Sequence, residues 1–500
     1  MDYLVSCLLC LFFIWILVQV CSSVTSGRRE SSVKLPPGPR QIPIFGNLLD
    51  LGDKPHKSLA KLAETHGPIM SLKLGNLITI VVSSTDMARE VLQKNDPVFS
   101  DRTVPDAVRA HQHHEFGLPF IPVSPLWRSL RKVCNLHIFS SQKLDANQHL
   151  RRRKVEQLLT TVRDSCHLGE AVDIGQAAFS ATVNLLSNTI FSVDLADSNA
   201  QRSLEFKKTV WSIMEEAGKP NLADYFPLLR KIDPQGIRRR MTVHFGKLLE
   251  LFDRMYDERL QLRKGKGFAT TNDVLDTLID ITEGKTEELN RTQTIHLLKV
   301  LFVAGTDTIS STLEWAMAEL LHNPEVLLKA QKELEKAIGK AKWVQESHVD
   351  RLPYLRAIIK ETFRMHPAVP LLIPRKAGPN AEICGFTVPE GAQVLVNVWA
   401  IGRDPSIWEM PNSFIPERFL NSEIDVKGRD FELIPFGGGR RICPGLPLAI
   451  RMLHLMLGSL INCLDWKLED GVTPENMNME EKFGITLQKA KPLRAIPIPV

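Results

Sequence analysis

From Tyr3 to Val20 the side chains are almost wholly apolar, with Gln19 the only strongly polar one. About twenty such residues cross a bilayer as a helix, so this run predicts a membrane segment. A cleaved signal peptide is the competing reading. It is disfavoured because Asp2 alone precedes the run, while Arg28, Arg29, Lys34 and Arg40 follow it. That asymmetry places the N-terminus in the lumen and the body in the cytosol. Lys34-Leu35-Pro36-Pro37-Gly38-Pro39-Arg40 then predicts a stiff tether, because proline bars both helix and sheet. Beyond it, Ile69 to Ser83 alternate about Gly75-Asn76, the pattern of a two-stranded hairpin. Most of the remaining pattern has helical spacing, at Leu150–Val162, Ala177–Phe191, Phe206–Ala217, Val243–Leu262 and Pro324–Ile338. Short strand-like pieces return at Gln393–Val398 and Thr486–Pro497. The pattern predicts a mainly α fold with a small β portion.

One helical run, from about Thr292 to His322, stops at Asn323-Pro324. At about 1.5 Å per residue it crosses a whole domain. Its centre, Leu297 to Leu313, is apolar on nearly every side, which predicts burial. Yet that centre carries Ala304-Gly305-Thr306-Asp307-Thr308. A glycine, an acid and several hydroxyls inside a buried helix break the usual rules, and such breaks tend to mark function. Gly305 lets a flat ligand approach, and Asp307 and Thr308 can carry protons to something bound there.

Five hundred residues exceed one ordinary hydrophobic core. However, no strongly charged or Gly/Ser-rich linker divides the chain, and Arg263-Lys264-Gly265-Lys266-Gly267 reads as a loop between helices. The expected organisation is a membrane anchor over 1–27, a basic proline-rich hinge over 28–40 and a single large catalytic domain over 41–500. A net charge of +5 without a long basic-aromatic stretch excludes a nucleic-acid binder. The basic clusters at Arg128, Arg131 and Lys132, Arg151 to Lys154, and Arg238 to Arg240 are solvated helix faces or docking faces for an acidic partner. Eight irregularly spaced cysteines form no disulfide framework, which fits a reducing compartment. His111, His113 and His114 lack a neighbouring Cys or acid with metal-ligand spacing.

The densest chemistry lies in Pro435-Phe436-Gly437-Gly438-Gly439-Arg440-Arg441-Ile442-Cys443-Pro444-Gly445, followed by an apolar helical run from Leu446 to Leu464. The glycines let backbone approach a planar ligand, the arginines can pair with carboxylates, and a helix start favours a thiolate. Upstream, Glu361 and Arg364 are three apart on a helix face. With Arg418 they form a candidate network bracing the cysteine loop from behind. Trp127 and Arg131 are four apart, and Arg375 sits in Ile373-Pro374-Arg375.

Phe436-x-x-Gly439-x-Arg441-x-Cys443-x-Gly445 resembles the haem-ligand loop of the cytochrome P-450 superfamily. The anchor, hinge, Asp307-Thr308 helix, Glu361/Arg364 pair and Arg418 occur in the same order as in its microsomal members. The stretches Lys219–Leu249 and Met479–Pro497 look like a plant microsomal terpenoid-hydroxylating subfamily. The resemblance implies haem b (iron protoporphyrin IX) with Cys443 as axial ligand of the iron. Phe436, Trp127, Arg131, Arg375 and Arg441 would help bind the cofactor, the last four by offering donors to its propionates. It implies a monooxygenase in which Asp307 and Thr308 relay protons, dependent on O2 and NADPH. No strand-linked G-x-G-x-x-G is present, so electrons are expected from a separate NADPH–cytochrome P-450 reductase at the endoplasmic reticulum membrane. The basic positions near Arg128–Lys132 and Arg151–Lys154 would be its docking face.

Within that subfamily the implied activity is hydroxylation of a small lipophile, foremost an allylic methyl of a monoterpenol such as geraniol. The same chemistry on a diterpene or an aromatic substrate is the alternative. A haem-thiolate isomerase or a non-catalytic haem protein is disfavoured by the intact Asp307-Thr308 pair. The substrate pocket is expected to draw on Phe116, Phe120, Phe302, Ala304, Val369, Ile373, Phe483 and Ile485. Three positions depart from the subfamily pattern: Ile309 beside the relay threonine, Gly438 in place of a common alanine, and Ala368 after His366-Pro367. Asn290-Arg291-Thr292 fits a glycosylation sequon that a cytosolic domain would leave unmodified.

Overall fold

A computed structural model describes residues 34–196, 201–265, 273–284 and 289–500. The expected anchor over 1–27 and the start of the hinge lie outside them. The rest of the hinge is docked on the sheet. Ser71 donates its backbone N–H to Pro37 O at 2.8 Å and its hydroxyl to Pro36 O at 2.7 Å.

Helices dominate, and the expected ones are present with longer ends: Gln148–Leu168, Ile174–Phe191, Gln201–Gly218, Ile237–Lys264 and Pro324–Ile338. The central helix runs from Arg291 to His322 without a break and buries most of its side chains. Asn290 caps it by accepting from Gln293 N at 2.9 Å, and the Gln293 side chain returns a bond to Asn290 N. The sequon asparagine is thus part of a capping box. This helix packs chiefly on Ile174–Phe191 and on the apolar helix Leu446–Cys463. The latter is apolar enough to cross a membrane but is mostly buried in the protein core.

The β portion is a five-stranded sheet in the order Ile69–Leu74, Leu77–Val82, Gln393–Val396, Arg375–Lys376, Asp101–Arg102, with three smaller sheets. Gly75 takes φ 59° at the expected hairpin turn, a conformation costly for other residues. The expected strand at Gln393–Val398 ends at Val396, where Asn397 caps a short helix, Val398–Ile401. Glu481–Lys482 pairs with Gln488–Lys489 to form a small hairpin, Phe483 to Leu487 being its loop.

The frame around the cysteine loop rests on a buried ion triad. On the helix Pro353–Met365, Glu361 accepts from Arg364 at 2.7 and 2.8 Å and from Arg418 Nε at 3.0 Å. Arg364 also donates to the carbonyls of Pro411 at 2.6 Å and Ser413 at 3.0 Å, and to that of Gly402. Glu361 accepts a further bond from Ile415 N at 2.8 Å. The triad therefore pins the 402–418 segment, and the Phe363–Phe436 edge contact, 5.1 Å between centroids, links its helix to the cysteine loop. Glu361→Gln leaves two buried guanidiniums short of an anion and should destabilise the protein by about 3–5 kcal/mol. Thermal and denaturant unfolding of the haem-loaded protein measure it; an unchanged midpoint would remove the triad from the frame.

Candidate functional site

Cys443 sits immediately before the helix Leu446–Cys463, and its backbone N–H donates to Phe436 O at 3.0 Å. The loop gains its tight path from Gly439 at φ 65°, where a Cβ would lie 2.0 Å from the carbonyl oxygen of Leu92. The thiol lies inside the protein yet keeps open surface toward an internal cavity. Burial pushes its pKa up, while the Gly445 and Leu446 amides and the Arg131 charge pull the other way. A cavity of about 260 Å³, lined mainly by apolar side chains, separates this loop from the central helix. Across it the helix presents Ala304, Gly305, Thr308, Ile309 and Thr312.

The helix carries its hydroxyls without kinking. Thr306 donates to Phe302 O at 2.7 Å and Thr308 to Ala304 O at 2.8 Å, the i to i−4 pattern open to Ser and Thr in helices. With its proton so engaged, the Thr308 oxygen retains lone pairs for a donor in the cavity. Asp307 is 2% exposed, and burial raises its pKa. Gly305 lines the cavity and also touches the neighbouring helix, where a Cβ would lie 3.0 Å from Leu186.

One wall of the cavity holds more positive charge than the protein itself neutralises. Trp127, Arg131, Arg375 and Arg441 all line it, as expected, and so does Arg102. The sheet register sets Arg102 directly opposite Arg375, and like charges so placed are unfavourable. Burial, then Arg375 and Arg441, lower the Arg102 pKa, and its Nε is buried without a partner. Arg441 spends its donors on the carbonyls of Ser100 at 2.8 Å, Leu118 at 3.3 Å and Ile121 at 2.6 Å, with its guanidinium over the Trp127 ring at 4.9 Å. Arg375 donates to Phe99 O at 3.1 Å, Gly438 O at 3.1 Å and Asp96 at 3.2 Å. Arg131 makes no hydrogen bond among the described residues; it lines the cavity, and burial lowers its pKa.

Five of the expected pocket residues lie off this cavity. Phe302 is buried in a ring stack with Phe191 and Phe252, with centroids 5.7 and 5.1 Å away. It points to the side of the helix turned from Thr308, so Leu301 and Val300 take its place on the wall. Phe116 tilts onto His296 at 5.1 Å, and Phe120 meets His113 edge-on at 6.4 Å. Phe483 stacks on His56 at 5.4 Å, and Ile485 is 37% exposed at the hairpin loop. Ala304, Val369 and Ile373 do line the cavity, joined by Leu118, Leu186 and Leu372. Two of the three departures from the subfamily pattern, Ile309 and Ala368, are on its wall. The three neighbouring histidines diverge: His111 to Thr242 O at 2.8 Å, His113 to His296 at 2.9 Å, and His114 toward Glu115 at 3.6 Å.

An enclosed thiol, an apolar slot bounded by a helix with free hydroxyl lone pairs, and a wall of under-neutralised guanidiniums together define a haem-thiolate oxygenase. The chain belongs to the Cytochrome P450 family, whose sequence profile matches residues 36–494. It is 60% identical over 471 residues to the geraniol 8-hydroxylase of Swertia mussotii, covering 94% of this chain and 95% of that one. It is 57% identical over 497 residues to the geraniol 8-hydroxylase of Catharanthus roseus, covering 99% of each. The drimenol monooxygenase of Persicaria hydropiper is 54% identical over 497 residues, covering 99% of this chain and 97% of its own. The protein is a cytochrome P450 monooxygenase that uses haem b, O2 and NADPH through a separate reductase.

The residues present fit that cofactor. Cys443 would hold the iron, Arg131 and Arg102 would offer donors to its two carboxylates, and Trp127 and Phe436 would bound the ring, all of them lining the one cavity. Arg102 was absent from the sequence-derived set because it belongs to a two-residue strand with no pattern of its own. Arg102→Met removes donors and also relieves the opposition to Arg375. Haem should therefore leave the folded protein several-fold faster, read by transfer to a haem acceptor. An unchanged loss rate would exclude Arg102 from cofactor retention.

Proposed function

We propose that this oxygenase hydroxylates a small apolar alcohol, foremost an allylic methyl of a monoterpenol such as geraniol. The observation that carries this reading is the largely apolar cavity between Cys443 and Thr308, in a chain so similar to two geraniol 8-hydroxylases. Another relative, the drimenol monooxygenase, supports drimenol as an alternative substrate.

When bound, haem supplies reductive activation of O2 and insertion of one oxygen atom into a C–H bond. The chain's own residues set the conditions. Cys443 would hold the iron through its sulfur, and burial around the thiol favours a dry setting for that bond. Leu301, Val369 and Ile373 hold the apolar body of the substrate against the helix and exclude water. The Thr308 oxygen accepts a hydrogen bond on the cavity side, while Asp307, buried and with a raised pKa, holds a proton near neutral pH more readily than a free carboxyl. Reconstituted with reductase and NADPH, the protein should form one hydroxylated product from geraniol per O2 consumed. Thr308→Ala should lower product per NADPH several-fold and release peroxide, with the substrate-induced spectral change retained. Absence of oxygen-dependent product from geraniol, nerol and drimenol alike would refute the substrate class.

A membrane setting at the endoplasmic reticulum, with the catalytic domain toward the cytosol, completes this reading. Ile42, Phe45 and Leu49 are exposed beside Leu228 and Ile232, and the Phe45–Phe226 edge contact at 6.3 Å brings the two segments together. So large an apolar surface suits a lipid interface. The reductase docking face is narrower than the basic residues alone imply. Arg151 is buried against Glu346 and Lys154 against Asp194, so both are structural. Arg238, Arg239 and Arg240 pair with Asp106, Asp233 and Glu216. Arg128, Lys132 and Arg152 are exposed, and we assign the docking charge to them. Neutralising these three should slow reduction by reductase several-fold and weaken its salt dependence, with the ferrous–CO spectrum intact. Unchanged reduction kinetics would place the docking face elsewhere.

A further inference from the structure

Asp307 does not stand free in its helix. Gln488, on the second strand of the Glu481–Lys489 hairpin, donates its Nε2–H to Asp307 Oδ1 at 2.9 Å. The same hairpin is stapled to the helix at two further points one and two turns on. Ser311 Oγ and Trp315 Nε1 both donate to Leu487 O, at 2.9 and 3.0 Å. Residues 307, 311 and 315 form a stripe at intervals of four, on a different side of the helix from the cavity-lining Thr308 and Thr312. Leu487 N in turn donates to Ala368 O at 2.8 Å, and Ala368 is on the cavity wall. The far end of the hairpin is fixed as firmly. Glu481 meets Lys57 at 2.6 Å, His56 at 3.1 Å and the Trp399 indole at 3.2 Å. The hairpin is therefore a rigid strap with one amide aimed at the acid.

We propose that Gln488 is the positioning residue for Asp307, fixing Oδ1 so that Oδ2 is the oxygen that carries the relayed proton. This rests on the reading of Asp307 as the proton carrier. Oδ2 is buried and lacks a hydrogen-bond partner. An amide N–H donating to Oδ1 makes that oxygen the poorer site for a proton, and the proton rests on the other. Burial raises the Asp307 pKa, and Thr486 and Gln488 restrain the rise. The Thr486 hydroxyl lies near but outside hydrogen-bonding geometry. The charged groups around this point are Glu314 on the same helix, which senses Asp307, and Asp173 and Lys489 from other elements, which act on Glu314. None of them hydrogen-bonds Asp307 among the described residues; the carboxyl is set by the two hairpin side chains, the Thr486 hydroxyl and the Gln488 amide, of which Gln488 makes the hydrogen bond to Oδ1.

The sign follows. Removing a donor to the carboxylate raises the pKa of the acid, and a cation in its place lowers it. Gln488→Leu should thus move the titration of Asp307 upward and Gln488→Lys downward, each by about one pH unit. The readout is the protonated-carboxyl infrared band of the haem-loaded protein, identified by its loss in Asp307→Asn. Gln488 is only half-buried, which leaves room for lysine. The pH profile of turnover should shift in the same two directions, and Gln488→Leu should lower product per NADPH several-fold without altering KM for geraniol. In an Asp307→Asn background, Gln488→Leu should add no further loss. The ferrous–CO spectrum confirms folded, loaded protein in each variant. If the infrared band titrates identically in all Gln488 variants, the proposal is overturned. If Asp307→Asn couples as well as the parent, the proton-carrier reading fails instead, and the opposite band shifts still test the clamp by themselves.

Discussion

A thiol inside a protein is the constraint on which this structure turns. Burial favours the protonated form of Cys443, and the opposing pull of the Gly445 and Leu446 amides and Arg131 does not reverse the direction. A thiolate in such a place is sustained by a bonded cation, and metal binding then releases the proton. That exchange requires the sulfur to be held still and dry. The surrounding features serve those two requirements: Gly439 pressed against the Leu92 carbonyl, the Cys443 N–H returned to Phe436, and the ring contact from Phe436 to Phe363.

Stillness at the loop is transmitted from charges that are also buried. The Glu361 triad is satisfied at both ends, since its arginines reach carbonyls of the 402–413 segment as well as the shared carboxylate. A network so complete rigidifies, whereas a half-satisfied one would loosen the same segment. The arginine wall is the opposite case. Arg102 and Arg375 face each other in register with Asp96 as the shared counter-charge, and Asp96 is drawn to Arg440 too. The frame is neutralised by the protein, and the wall is left for a bound anion. That contrast separates groups that build the site from groups that meet its cofactor.

Much of this was legible along the chain because it depends on local spacing. The hairpin at Gly75-Asn76, the central helix and its Asn323 end, and the cysteine loop ahead of an apolar helix all appear where the pattern puts them. The phase of the central helix was not legible. A helix apolar on nearly every side carries no polar stripe to orient it, so Phe302 was as good a pocket candidate as Leu301. Only the ring stack with Phe191 and Phe252 decides between them. Arg151 and Lys154 illustrate a signal that was present but hidden by charge. They share the buried face of Val155, Leu158 and Val162, and periodicity outranks their ionic character once Glu346 and Asp194 are available to pair. Arg102 and Gln488 lie in two-residue strands, and their partners come from segments hundreds of residues away.

The same distance in sequence joins specificity to chemistry. Ala368 accepts from the Leu487 amide, and the next residue along the hairpin, Gln488, holds the helix acid. Ile309 sits on the cavity wall two residues beyond Asp307. A substrate that presses on Ala368 or Ile309 therefore presses on the strap and the helix that hold Asp307 and Thr308. In a packed interior such a displacement is resisted rather than absorbed. The cavity wall and the carboxyl of Asp307 are thus joined by two hydrogen bonds through one hairpin, Leu487 to Ala368 and Gln488 to Asp307.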